Sequence, residues 1–202
     1  MEKFVQLTGI AAPLYRANID TDAIIPSREM KRVSKEGLGE GMFADWRYTD
    51  VAGRVENPEF VLNRAPFRGA PILIAGPNFG CGSSREHAVW ALKDYGVRCI
   101  IAPSFGSIFQ GNCIRNGLLP LVLPDIDVAA LAEGAGTNPL TVDLAAQTLH
   151  TPDGRTLPFT VAPADREMLL EGLDAIGVTL KRLPVIQNFE SGYRARHSWL
   201  YS

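Results

Sequence analysis

The chain reads as an α/β protein built on a parallel sheet, and three observations say so. Apolar runs of buried-strand length recur at 70–76 (APILIAG), 97–104 (VRCIIAPS) and 118–124 (LLPLVLP). Helical stretches at 84–95 and 104–117 separate them, which is the spacing of parallel β-α-β units with right-handed crossovers. Each stretch closes on a glycine, Gly96 and Gly117, placed for a left-handed helix end.

The elements follow in order. FVQLTGIAAPL (4–14) is an opening strand and turn, and NIDTDAIIP (18–26) a polar turn leading into a short apolar run. Residues 27–68, beginning SREMKRVSKEGLGEGMFADWRY, mix charge, glycine and aromatics without a clean period. They form a long excursion with some helix, which in a compact domain usually serves function or partner contact. That composition predicts disorder in the isolated chain. In the helix at 84–95, Val89, Leu92 and Tyr95 share the inward face. Serines at the start of 104–117 are candidate N-caps. DIDVAALAEGAG (125–136) is a shorter helix. TVDLAAQTLHTPDGRTLPFTV (141–161) reads as a hairpin turning at Pro-Asp-Gly-Arg. APADREMLLEGLDAIGVTL (162–180) reads as one amphipathic helix with Met168, Leu169, Leu173 and Ile176 in its stripe. The tail from Phe189 is basic and aromatic, either a packed terminus or a docking segment. Residues 1–202 are expected to form a single domain, with the excursion near its front.

Composition narrows the function. A net charge of −2 offers no basic field for nucleic acid or an anionic membrane. No apolar run reaches transmembrane length, and MEKFVQLTG lacks a signal-peptide core, so a cytoplasmic location is expected. The three cysteines, Cys81, Cys99 and Cys113, make an odd count without a C-x-x-C pair. A disulfide framework, a zinc site and a cluster bound by this chain are all disfavoured.

The densest chemistry lies in GPNFGCGSSREHAVWAL (76–92). Two readings compete. Ser83-Ser84-Arg85-Glu86 fits a capping box, with Ser83 as N-cap and Glu86 reaching back. That leaves Gly80, Gly82 and Arg85 unexplained. Glycines let backbone N–H groups approach a ligand, a helix N-terminus adds positive potential, and Arg85 can grip a carboxylate or phosphate through two hydrogen bonds. The turn lacks the lysine of a phosphate-binding P-loop, the third glycine of a dinucleotide fingerprint and the pattern of a nucleophile elbow. Cys81 with nearby His87 is a poor thiol nucleophile pair, because one helical turn separates them. A small carboxylate is the best-fitting ligand.

NFGCGSSREHAVWAL, with NIDTDAIIP and SFGSIFQGNCIRNGLLPL, closely resembles the isopropylmalate dehydratase small-subunit family of the aconitase superfamily. The three motifs stand in the family's order, and the similarity runs through most of the chain. The resemblance implies a swivelling β/β/α domain, like the mobile last domain of aconitase. It implies a separate large subunit carrying a 4Fe–4S cluster, with no cofactor on this chain. It implies a hydro-lyase reaction in leucine biosynthesis, converting 2-isopropylmalate to 3-isopropylmalate through 2-isopropylmaleate. Ser83 matches the catalytic serine that takes a proton from the substrate carbon, and Arg85 the arginine that pairs with a substrate carboxylate. Ser84 shares the turn and is placed to bond substrate. Asp22 matches an acidic residue near the active site. In the excursion, Lys31 and Arg32 are candidates for a carboxylate, and Met30 and Val33 for the isopropyl group. Two alternatives stay open: a homoaconitase- or citraconate-type small subunit, and a non-catalytic carboxylate-binding module.

Overall fold

In the computed structural model, which describes residues 1–30 and 34–201, the first two strands belong to different sheets. β1 (Gln6–Gly9) and β2 (Ala11–Leu14) part at Ile10. A one-turn helix, α1 (Thr21–Ile24), follows, and the excursion carries α2 (Ala44–Arg47) and the hairpin of β3 (Tyr48–Asp50) and β4 (Val55–Glu56). The regular stretch is β5 (Ile72–Ala75), α3 (Glu86–Tyr95), β6 (Cys99–Ala102), α4 (Ser107–Asn116), β7 (Leu119–Val122) and α5 (Asp125–Glu133). β8 (Leu140–Asp143), β9 (Thr148–His150) and β10 (Thr156–Pro158) precede α6 (Pro163–Glu171), α7 (Ala175–Leu180) and α8 (Leu183–Arg196).

The parallel sheet runs β2-β5-β6-β7, with Ile72 opposite Ala11 on one side and Cys99 on the other. The second sheet, β1-β8-β9-β10, is antiparallel. The period of two along each buried strand assigns its side chains to two cores. Leu73, Ala75, Ile100 and Ala102 face α3, α4 and the excursion. Ile72, Ile74, Cys99 and Ile101 face α5, α6 and the antiparallel sheet. All four residues of β5 are fully buried, and burying an aliphatic side chain of this size contributes about 1.5–3 kcal/mol. The α/β class and the parallel order follow the sequence reading. Both glycine helix ends form as expected, Gly96 at φ 112° and Gly117 at φ 75°.

Several expectations are corrected. The described part of the excursion is no loose segment: Leu38, Met42, Phe43 and Leu62 are fully buried in the core that α3 and the sheet share. Its apolar residues lack a helical or strand period yet gather on one core, so the absence of a period understated what they bury. The segment 141–161 contains an extra turn at 144–147, where Gln147 takes φ 54°, so a three-stranded meander replaces the single hairpin. The helix expected across 162–180 breaks at Gly172, in left-handed conformation, and Ile176 of its stripe is exposed while Leu169 is fully buried. α8 has no buried residue. Among the described residues no helix is long and apolar enough to cross a membrane.

Candidate functional site

Three segments converge beyond the carboxyl ends of β2, β5 and β6, where open α/β sheets commonly place ligands. The strand β5 feeds residues 76–85. These would be a free loop but for bonds from both neighbours. On one side, Gly80 N–H donates to the Ile19 carbonyl (2.7 Å), Thr21 N–H to the Cys81 carbonyl (3.0 Å) and Asn18 N–H to the Pro77 carbonyl (2.9 Å). On the other, Phe79 N–H donates to the Ser104 carbonyl (3.1 Å) and Gly106 N–H to the Phe79 carbonyl (2.9 Å). Isolated parallel bridges, Asp20 with Cys81 and Phe79 with Phe105, resume the pairing beyond the strand ends. Beneath it Phe79 is fully buried, edge-on to Phe105 and Phe109.

The glycines divide into two kinds. A Cβ on Gly80 would stand 2.2 Å from the Phe109 ring, and one on Gly106 2.6 Å from the Gly80 carbonyl oxygen. Those two are required by packing, not by ligand approach. Gly82 has no such neighbour; its φ of 88° is what demands glycine.

The capping box expected at Ser83 does not form. α3 begins after Arg85, whose extended backbone (φ −115°, ψ 101°) occupies the N-cap position with no side-chain cap. Glu86 is drawn elsewhere, its Oε1 accepting from Asn116 Nδ2 (2.7 Å). α4 likewise starts at Gly106 without a side-chain cap, so the serines expected to cap it do not. Ser104 Oγ instead accepts from Asn78 N–H (2.9 Å). Tertiary partners thus occupy Glu86 and Ser104, and both helices start later than the local caps would place them.

The consequence is an open cavity of about 470 Å³ that receives both helix starts. Thr21, Gly82, Ser83 and Arg85 line it from one side, Gly106 and Ser107 from the other. Two positive helix ends and a guanidinium thus face one space, which suits an anion. Ser83 and Ser84 are exposed, and among the described residues no side chain bonds the Ser83 hydroxyl. Arg85 is mostly shielded, with 22% of its side chain exposed, and its Nη1 pairs with Asp22 Oδ1. The structure therefore brings Asp22, Ser83 and Arg85 together, with Ser84 in the same turn. Lys31, Arg32 and Val33 lie outside the described residues. Met30 is half-buried against the core.

Thr21 escaped the sequence reading. It is 1% exposed, and its Oγ1 donates to the Ser83 carbonyl (3.0 Å). The only sequence signal was its place between Asp20 and Asp22 in a turn already singled out. His87 packs its ring on Trp90 (4.7 Å between centroids), a structural role rather than a partner for Cys81. The cysteines of this chain do not fit a cluster: Cys99 and Cys113 are fully buried, one in each core, and burial pushes both thiols up from their ordinary value. A bound thiolate would need the reverse.

Comparison with known proteins agrees with this architecture. The family model described as the aconitase C-terminal domain matches residues 1–126, and that described as LeuD_N matches residues 128–163. A 3-isopropylmalate dehydratase small subunit from Cupriavidus necator is 55% identical, covering 100% of this chain and 99% of its own. The chain belongs to the 3-isopropylmalate dehydratase small-subunit family. Another small subunit of that name, from Rhodospirillum centenum, is 52% identical over 98% of both chains. Within the family, the solved 3-isopropylmalate dehydratase structure from Methanocaldococcus jannaschii superposes with a TM-score of 0.66. It is 28% identical and covers 92% of this chain and 99% of that one.

Proposed function

We propose that the chain acts as the small subunit of a 3-isopropylmalate dehydratase, a hydro-lyase of leucine biosynthesis, and that Ser83 and Arg85 are its principal working residues. The observation that carries the reading is their common cavity: a hydroxyl that no side chain holds among the described residues and a mostly shielded arginine, both at the uncapped start of α3.

The substrate 2-isopropylmalate carries a hydroxyl at C2 and a hydrogen at C3. Arg85 exchanges Asp22 for a substrate carboxylate, keeping one charge-assisted pair and gaining a second hydrogen bond if the fork engages both oxygens. Ser83 then takes the C3 proton. A serine hydroxyl is a weak base in water, so it must react as the alkoxide. The amides at the starts of α3 and α4, with Arg85, supply fixed positive potential where that charge resides. Loss of the C2 hydroxyl leaves 2-isopropylmaleate, and return of water at C3, with the proton delivered to C2, gives 3-isopropylmalate. Ser84 bonds the bound acid, and Asp22 holds Arg85 between turnovers. Lys31 and Arg32 are proposed to contact a substrate carboxylate.

A large subunit is the proposed partner, and its 4Fe–4S cluster would supply the Lewis acid for the departing hydroxyl. Residues 1–202 would then move as one swivelling unit in the cytoplasm. The test is hydration of 2-isopropylmaleate, followed by loss of its ultraviolet absorbance. The chain is assayed alone and with a cluster-reconstituted large subunit. Activity only in the mixture is expected. A silent mixture, with a control small subunit active, would overturn the reading.

A further inference from the structure

We infer that Thr21 is the positioning residue for Ser83, and that its hydroxyl, not its methyl group, does the positioning. The inference rests on the proposed role of Ser83.

Parallel pairing carries residues 19–21 alongside 80–81 and then ends. Past Cys81 the chain turns through Gly82 at φ 88°, and Ser83 has no main-chain partner from the 19–21 segment. Thr21 closes that gap with its side chain. Its N–H holds the Cys81 carbonyl and its Oγ1 holds the Ser83 carbonyl, each at 3.0 Å. One residue thus fastens both ends of the glycine step. Fixing the Ser83 carbonyl limits rotation about the peptide that carries Ser83, and so the arc its hydroxyl can sweep. Thr21 is itself immobile: it is 1% exposed and begins α1, whose N-cap Asp20 accepts from Ala23 N–H (2.7 Å).

The next residue, Asp22, grips Arg85. Neighbours in the sequence therefore hold different groups, Thr21 the serine and Asp22 the arginine. Removing the Thr21 hydroxyl should disturb proton transfer while leaving carboxylate binding in place. Reacting groups displaced by about an ångström can lose on the order of a hundredfold in rate.

The experiment uses the assembled enzyme with Thr21→Val, Thr21→Ala and Thr21→Ser, beside Ser83→Ala. For Thr21→Val and Thr21→Ala we expect kcat to fall by about 10- to 100-fold with KM within a few-fold of wild type. Their thermal midpoints should stay close to wild type. Thr21→Ser should restore kcat to within about threefold. Thr21→Ala guards against poor folding of the valine variant, since it places no methyl group against the carbonyl. The inference is overturned if kcat is unchanged without the hydroxyl, if serine fails to rescue, or if KM rises while kcat holds. Normal turnover by Ser83→Ala would instead refute the proposed role of Ser83, a separate and recognisable outcome.

Discussion

The two strand-to-helix crossings of the parallel sheet are close relatives in design and opposite in use. Each leads into a helix of ten residues that lacks a side-chain cap and ends on a left-handed glycine. The first crossing, from β5 to α3, takes residues 76–85; the second, from β6 to α4, takes only 103–106. Loops between strand and helix usually need about two to six residues, so the first is long for its task. Its surplus carries Gly82, Ser83, Ser84 and Arg85. The second is short, and Gly106 fits under Gly80 with no room for a side chain. One crossing carries the proposed working residues and the other packs against it. Length alone would make the first crossing mobile. Bonds from 18–21 and from the second crossing make it a fixed platform, which the proposed proton transfer needs.

The sharpest way to break the comparison is Ser83→Ala in the assembled enzyme. General-base catalysis is worth about 10²–10⁴ in rate, and turnover should fall by that much. Because Ser83 is exposed and caps nothing, stability should move by no more than about 0.5 kcal/mol in denaturant unfolding. Retained turnover would make the long crossing as inert as the short one.

Arg85→Lys comes next. Lysine keeps the charge and loses the fork, so kcat/KM should drop by about 10- to 100-fold. An unchanged value would mean that the guanidinium serves only Asp22.

The supporting role is tested by stability. Gly80→Ala drives a Cβ into the Phe109 ring at a positive φ and should cost about 2–4 kcal/mol. Gly82→Ala meets only ordinary contacts and should cost about 1–2 kcal/mol, the backbone penalty alone. Equal losses in chemical denaturation would erase the distinction between packing and conformational glycines.

The mildest probe is a thiol reagent on the folded chain. Cys81 lies in the first crossing and is partly exposed, while Cys113 sits in α4 and Cys99 in β6, both fully buried. Cys81 should react first, and the other two only on unfolding. Rapid labelling of all three would show that the platform opens readily.

Residue types at local spacing determined much of this protein. Apolar runs of strand length and their glycine-ended helices prescribe the parallel sheet, because period and chain stiffness act over a few residues. The cluster at 80–85 raised the reading of an anion site for the same reason, and that site remains the proposed one. What depended on contact between distant segments was decided only in the tertiary structure. The capping box at Ser83 does not close, because α3 starts only after Arg85 and Asn116, thirty residues beyond Glu86, takes the Glu86 carboxylate. Gly172 ends a helix that the apolar stripe alone would continue, and the excursion packs because Phe43 and Leu62 find the face of α3. Arg85 meets Asp22 across a separation of 63 residues, and Thr21 meets Ser83 across 62. No local pattern encodes those pairings, since each exists only where the carboxyl ends of neighbouring strands bring two loops together.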